Sequence, residues 1–394
     1  MKMKALGIVI LACVISSLNG YKILTLLYLA NGSMRNFFDP ILLELAKKNN
    51  SVTVVASTPG TVEHENIKEL QALDIKKMLK GLPNPDFINM RLSKKAFSVW
   101  SLKDKWVRDC HEFYKTPVVQ GLLKRSETFD LIFLNSYMNE CTYGLAHYLN
   151  ASTVIISPFP VQPWLAEHEP MGLLERIGSF YKYAYNKWMK DLHYIPAIEE
   201  AYRTYVPGAP GVFEIERNVS LVMGSGHFSF TPLRPTMPGV VDELAGLHCR
   251  EAKPLPNDWN LKQAERIGVG VMLELEHVTE DKLYALLHQF LYSGRYQENA
   301  DSRSKLFRDR PLGVVKNAVW WVEHVLRHGG AMHLRSPARE LNFFQYYSID
   351  ILLLFVFSVG LIAFALYCAC NMLLGVKWTG VPKQKKPRRS KKAN

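Results

Sequence analysis

The chain has 394 residues, of which 48% are hydrophobic, 21% charged and 11% aromatic; this excludes a disordered or low-complexity protein and suits two domains of ordinary size. Its formal net charge of +12 is concentrated at the ends. Eight lysines and arginines follow Cys370 with no acid among them, and Lys2 and Lys4 open the chain. The body between is nearly neutral, so no nucleic-acid partner is expected.

Met1–Gly20 has a basic start, an apolar run over Ala5–Ile15 and a small or polar end. That pattern predicts a signal peptide, and the run is too short to span a bilayer. Lys22–Ala30 is continuously apolar and predicts a strand buried on both faces. Asn31-Gly-Ser33 is turn chemistry, and Asp39–Lys48 predicts a helix with Pro40 in its first turn and Ile41, Leu42, Leu45 and Ala46 on one face. Val52–Ala56 is a second strand, giving a βαβ unit and hence a parallel sheet with a right-handed crossover.

The alternation recurs as strand Leu131–Leu134, helix Asn139–Leu149, strand Thr153–Ser157, a long helical stretch Leu173–Tyr205 and a short strand Leu221–Met223. Proline and glycine dominate Pro232–Pro256, which reads as a linker. Beyond it the pattern yields one strand, Val269–Leu275, and three helices, Thr279–Tyr292, Tyr296–Arg308 and Val315–Arg327. A doubly wound domain needs several βα units of about 30 residues each. The second half is therefore expected to be incomplete.

Ile351–Cys370 is a 20-residue stretch without charge, and at 1.5 Å per residue it covers about 30 Å, the hydrocarbon thickness. The basic tail after it predicts a cytosolic C-terminus and a lumenal body. The last four residues, Lys391-Lys392-Ala393-Asn394, match a receptor-read dilysine address for the endoplasmic reticulum, with a plain stop-transfer cluster as the alternative. Three cysteines, Cys110, Cys141 and Cys249, fall in the lumenal body, allowing one bridge at most. No Cys-x-x-Cys pair occurs, and no metal site is expected. Four glycosylation sequons begin at Asn31, Asn49, Asn150 and Asn218, of which Asn49 and Asn218 look the most loop-like.

Several stretches carry a family resemblance: DPILLELAKKNNSVTVVASTP at 39–59, FDLIFLNSYMNECTYGLAHYLNA at 129–151, NVSLVMGSGHFSFTPLRPTMPGVV at 218–241 and the highly specific WWVEHVLRHGGAMHLRS within 296–338. With the span and basic tail, the chain resembles the animal, insect-type, membrane-bound UDP-glycosyltransferases, also called UDP-glucuronosyltransferases. The resemblance implies a GT-B-like α/β fold: one Rossmann-like domain for a lipophilic acceptor and a second, truncated here, for the UDP-sugar. It implies an inverting transfer to an acceptor hydroxyl, with a histidine as general base oriented by an aspartate, because the hydroxyl is a weak nucleophile until its proton is removed. It also implies a role in detoxification, with the UDP-sugar as a co-substrate and no tightly bound cofactor.

The resemblance divides the chain into a signal peptide (1–20), acceptor domain (21–240), linker (241–262), donor-domain remnant (263–350), span (351–370) and cytosolic tail (371–394). Two departures stand out. Counting from Pro40 places Met34 at the base position, and counting from Asp130 places Asn135 at the acid position. A thioether does not accept a proton at neutral pH, and an amide brings no charge to an imidazolium. The donor cradle, with its Thr-His-Gly-Gly and Asp-Gln signatures, has no counterpart between Leu255 and Val271. No catalytic residue is intact and no donor-binding residue is assigned. Phe37, Trp100, Tyr137 and Trp164 are candidates for an acceptor pocket, with a core role the alternative. His227 matches a position expected to be structural. Three readings stay open: a sugar-transferring enzyme of the family, a non-catalytic membrane protein that pairs with full-length relatives, and an incomplete gene model.

Overall fold

The computed structural model describes residues 20–29, 32–74, 102–124, 127–158, 173–227, 239–249, 268–271, 273, 278–335, 340–346 and 348–373. Residues 1–19 of the expected signal peptide, Asn31, Trp100, Trp164, Lys391 and Lys392 lie outside these residues, as do Met272, Glu274 and Leu275 of the expected strand Val269–Leu275, whose described residues 269–271 and 273 do not form a strand. Two compact units emerge, Met1–Ser336 and Pro337–Asn394.

The first unit is built on a seven-stranded sheet: β1 (Lys22–Leu27), β2 (Ser51–Ala56), β3 (Ile67–Gln71), β4 (Leu131–Asn135), β5 (Ser152–Ser157), β6 (Leu221–Gly224) and β7 (Val240–Val241). Its order is β3-β2-β1-β4-β5-β6-β7, and every pairing is parallel. β4 is buried along its whole length, and β1 and β2 at all but their first residue, as expected when helices cover both faces. The chain winds outward from β1 to β3, then returns to the other side of β1 through β4. This makes a topological switch point between β1 and β4, the place where an open α/β sheet leaves a crevice at its carboxyl ends.

One face of the sheet is covered by α1 (Gly32–Lys47), which buries Phe38, Ile41, Leu42 and Leu45. This helix begins seven residues before Asp39, so Pro40 lies inside it and not in its first turn. Proline is favoured in the first turn of a helix, so the local sequence signals a start at Asp39. Burial of Met34, Phe37 and Phe38 against the sheet carries the helix upstream of it. A later helix, α10 (Val314–Arg327), packs on the same face through Ala318, Val319, Val322 and Val325, and Lys48 joins the end of α1 to Glu323 at 2.6 Å.

The opposite face carries α2 (Lys103–Lys115), α3 (Pro117–Lys124), α4 (Tyr143–Tyr148), α6 (Ile195–Arg203) and α7 (Val212–Arg217). Between α4 and α6 run α5 (Leu173–Met189) and a π-helical turn, Lys190–Tyr194. No element was predicted where β3, α2 and α3 stand. α2 buries Cys110, Phe113 and Tyr114 at helical spacing. Cys110 forms a disulfide with Cys141, leaving Cys249 the free thiol of the three. The bridge closes 31 residues, a loop for which chain entropy gives about 3–4 kcal/mol. Tyr114 reinforces it, its hydroxyl donating to the Cys141 carbonyl at 2.9 Å and accepting from the Leu145 amide at 3.0 Å.

Part of the segment read as a linker is packed: Val241 is in β7, and Leu244 and Leu247 are buried. The remaining helices of the unit are α8 (Glu280–Tyr292), capped by Thr279, and α9 (Arg295–Arg308). Neither buries a single residue. Arg310 follows α9 and donates to the Ala245 carbonyl at 2.9 Å and to that of Glu243 at 3.2 Å.

The second unit contains α11 (Phe343–Tyr346) and α12 (Ile349–Leu373). Ile349–Asn371 has a mean hydropathy of 2.7 with none of that window buried, and is long and apolar enough to cross a membrane. Its Ser358 hydroxyl donates to the Leu354 carbonyl at 2.8 Å, so the helix satisfies that polar group internally.

Candidate functional site

Met34 and Asn135, the positions that the resemblance aligns with a catalytic dyad, are 101 residues apart in sequence and touch. Met34 sits in the first turn of α1, just beyond the end of β1, and Asn135 is the last residue of β4. The Asn135 Nδ2 donates to the Met34 sulfur at 3.2 Å. Both side chains are buried, Asn135 at 1% exposure and Met34 at 8%. The same amide is locked in orientation by the loop after β4: Nδ2 also donates to the Tyr137 carbonyl at 3.2 Å, and Oδ1 accepts from the Tyr137 amide at 3.3 Å. Met138 then adopts φ of 51°, and Asn139 donates back to the Leu26 carbonyl of β1 at 3.1 Å. The switch point thus holds a thioether against a carboxamide. Neither can take up a proton near neutral pH.

Phe37 is buried beside Met34 in the core under α1, whereas Tyr137 stands exposed in the loop leaving β4. Asn49 and Asn218 are both exposed; Asn49 has φ of 64° in the turn after α1, and Asn218 donates to the Glu214 carbonyl at 3.1 Å. A cavity of about 260 Å³ opens between β2, β3 and α3, lined by Thr53, Lys68, Leu70, Pro117, Val118 and Leu122. It is on the sheet's outer flank, away from the switch point, and smaller than the usual range for drug-sized ligands.

Two ionic clusters escaped the sequence reading. Immediately after Met34, Arg35 is fully buried and pairs with Asp39 at 3.0 Å and with Glu69 of β3. Asp39 also accepts from the Thr61 amide at 2.7 Å and hydroxyl at 2.8 Å. Gly60 lies against this pair: a Cβ there would come 2.2 Å from Arg35 Nη2 and would displace the guanidinium. The i, i+4 spacing of Arg35 and Asp39 is visible in the sequence once the helix is extended upstream of Pro40.

The second cluster lies beneath α4 and the π-helical turn. Glu140 accepts from the Tyr194 hydroxyl at 3.2 Å and pairs with Lys190 at 3.2 Å, while Tyr143 hydrogen-bonds Glu216. Burial pushes the Glu216 carboxyl up to about 7, with Lys190 and the Tyr143 hydroxyl pulling against it and Glu140 adding to it. Between its usual 4.5 and 7 the folded state binds the proton better than the unfolded chain. Stability therefore falls as pH rises through that window and stays lowered above it. Glu216→Gln keeps an acceptor for Tyr143 and removes the titration. The variant is expected to exceed the parent by on the order of 2 kcal/mol at about pH 8 and to match it at about pH 4. Melting curves at the two pH values check this. His227 is pushed down to about 4 by burial and by Arg310, so its contribution runs the other way and cancels in the variant-minus-parent difference.

The expectation of no metal site passed over one spacing present in the sequence, His324-x-x-x-His328. The structure adds His333, placing three imidazoles together at the end of α10.

The first unit is thus a doubly wound α/β domain with Met34 and Asn135 at its switch point. Among solved structures, the glycosyltransferase VinC in complex with DTDP aligns over 78% of this chain and 100% of its own with TM-score 0.45 and 10% identity. The spinosyn forosaminyltransferase SpnP aligns at TM-score 0.46 and 12% identity over the same shares. Rat UDP-glucuronosyltransferase 1A8 is 36% identical over 132 residues, which are 34% of this chain and 25% of the rat protein; the chain therefore matches about a quarter of that relative's length. UDP-glycosyltransferase UGT4 of Dactylopius coccus is 21% identical over 462 aligned positions, covering 84% of this chain and 90% of the relative. That alignment is longer than the chain itself, so it includes positions of the relative with no counterpart here. The family model described as UDP-glucoronosyl and UDP-glucosyl transferase matches residues 257–385. The C-terminal third of the chain is therefore similar to the UDP-glycosyltransferase family.

Proposed function

We propose that the chain is a non-catalytic member of that family, a type I glycoprotein of the endoplasmic reticulum membrane. On this reading a signal peptide is removed near Gly20, the body is lumenal, α12 is the span and the basic tail is cytosolic. The acceptor domain is kept, and its ligand class is small lipophilic alcohols and phenols of the kind met in detoxification. It acts by holding such acceptors or by pairing with full-length relatives that carry the UDP-sugar site. The observation that carries this is the contact between Met34 and Asn135, the two non-ionisable residues at the positions that the resemblance gives to the family dyad, side by side at the switch point.

The test is product formation from labelled UDP-glucose and UDP-glucuronate with a panel of phenols, in microsomes expressing only this chain. Turnover clearly above an empty-vector control overturns the reading. Residence is tested separately: Lys391→Ser with Lys392→Ser is expected to release a folded protein from the endoplasmic reticulum, and retention of the double variant sinks the dilysine assignment.

A second reading, an incomplete gene model, is favoured by the surface of α8. Leu283, Leu287, Phe290 and Leu291 are 43%, 51%, 45% and 71% exposed on that helix, as for a helix built to cover a sheet. Transcript sequencing across Leu261–Arg266 separates the two. An intervening open frame bearing the donor signatures establishes the second reading, and its absence leaves the first.

A further inference from the structure

The end of α10 brings three histidines into one cluster. His324 and His328 are one helical turn apart on the same face, with ring centroids 4.4 Å apart. His333 arrives from the other side, its ring centroid 5.3 Å from that of His324 and 5.8 Å from that of His328. The two Nε2 atoms of His324 and His333 stand 3.2 Å apart. Nitrogens bound at 2.0–2.1 Å to a tetrahedral ion are about 3.3 Å apart, and their ring centroids about 5 Å apart.

His333 is delivered by a built turn. Gly329, Gly330 and Ala331 take φ of 56°, 92° and 45° in succession, reversing the chain directly after the helix. The Gly330 amide donates to the Val325 carbonyl at 2.9 Å, and a Cβ on Gly330 would come 2.9 Å from the Ser152 hydroxyl of β5. Ala331 is fully buried, so the turn is pinned to the sheet. His324 is fixed in turn, stacked on Trp320 at 5.3 Å and edge-on to Trp321 at 5.8 Å. The nearby acid, Glu323, is already engaged by Lys48 and Arg327, and so does not account for the grouping.

We propose that His324, His328 and His333 form a binding site for a divalent transition-metal ion, Zn²⁺ by its liking for imidazole, with the fourth position left to water. Among the described residues no group of three His, Cys, Asp or Glu is placed to hold a metal ion as the side chains stand. His324 and His333 are poised as a pair, and the exposed ring of His328 completes the set by rotating about its side-chain torsions. The ion clamps the last turn of α10 to the turn that follows it, and so holds this helix on the sheet face it covers. The clamp is independent of sugar transfer.

The experiment uses the full chain in detergent micelles, without a histidine tag, stripped of metal by chelator and dialysed. It is titrated with ZnCl₂ by calorimetry, and with MgCl₂ as a hard-cation control. Saturable micromolar binding of Zn²⁺ at one site, with no heat from MgCl₂, is expected. His328→Gln and His333→Gln alter exposed rings, so both should melt like the parent in the presence of chelator. Each should weaken Zn²⁺ by more than the ~10-fold that an outer-shell partner contributes, and lose the rise in Tm that Zn²⁺ gives the parent. No saturable binding below millimolar Zn²⁺ overturns the site and leaves an ordinary hydrogen bond between two rings. Unchanged affinity in both variants also overturns it, since the ion then sits elsewhere on the chain.

Discussion

Microsomes that carry this chain as their only UDP-glycosyltransferase are expected to give no glucoside or glucuronide above the vector background. A base at position 34 would have to lift the acceptor proton as the new bond forms, and general-base help is typically worth about 10²–10⁴-fold. The Met34 sulfur, 3.2 Å from the Asn135 amide, offers only a weak acceptor. On the proposed reading the donor cradle is lost as well, and positioning the anomeric carbon can be worth about 7–11 kcal/mol. The two losses are not additive, but either suffices. Met34→His alone should therefore restore nothing, and neither should Met34→His with Asn135→Asp, although that pair would recreate a plausible dyad across the same gap. Restoration by the double variant would mean that some unrecognised part of the chain still holds the nucleotide.

The alternating strands and helices of the first domain were legible because strands buried on both faces read as unbroken apolar runs, as in ILTLL at 23–27 and LIFL at 131–134. β3 was not legible for the opposite reason. Ile67–Gln71 is a sheet-edge strand with mixed polarity and no fully buried residue, and neither apolarity nor alternation marks it. The start of α1 was misplaced because a local signal, proline at a helix opening, competed with burial supplied by strands far away in sequence. The positions of Met34 and Asn135 were found by counting along a resemblance, and the reason they matter is topological: β1 and β4 are neighbours only because the winding reverses between them. No pattern within either segment could show that. The histidine cluster had one visible half, His324 and His328, and one hidden half, since His333 reaches them only through three consecutive left-handed residues.

The largest effect on folding is expected at Arg35. Its guanidinium is fully buried and answers two carboxylates, Asp39 and Glu69, while Nε and Nη1 have no hydrogen-bond partner among the described residues. Burying such a group is costly, so the intact pair is not itself a large source of stability. Breaking it is another matter. Arg35→Ala leaves Asp39 charged, at 0% side-chain exposure, with only Thr61 among the described residues to answer it; leaving one such charge unpaired costs about 3–5 kcal/mol. Against a total of about 5–15 kcal/mol this is a large fraction, and in a domain of this size it lowers Tm by on the order of 10 °C. Asp39→Ala strands the guanidinium in the same way, though Glu69, which is partly exposed, still answers it, so the loss should be smaller. Removing both partners with apolar residues of similar bulk, Arg35→Met with Asp39→Leu, should cost clearly less than the two single losses added together. Melting of the four proteins in one detergent measures the coupling. Strict additivity, or a loss below about 1 kcal/mol for Arg35→Ala, would show that water reaches this pair and that the anchor between α1, the Gly60 turn and β3 is not ionic.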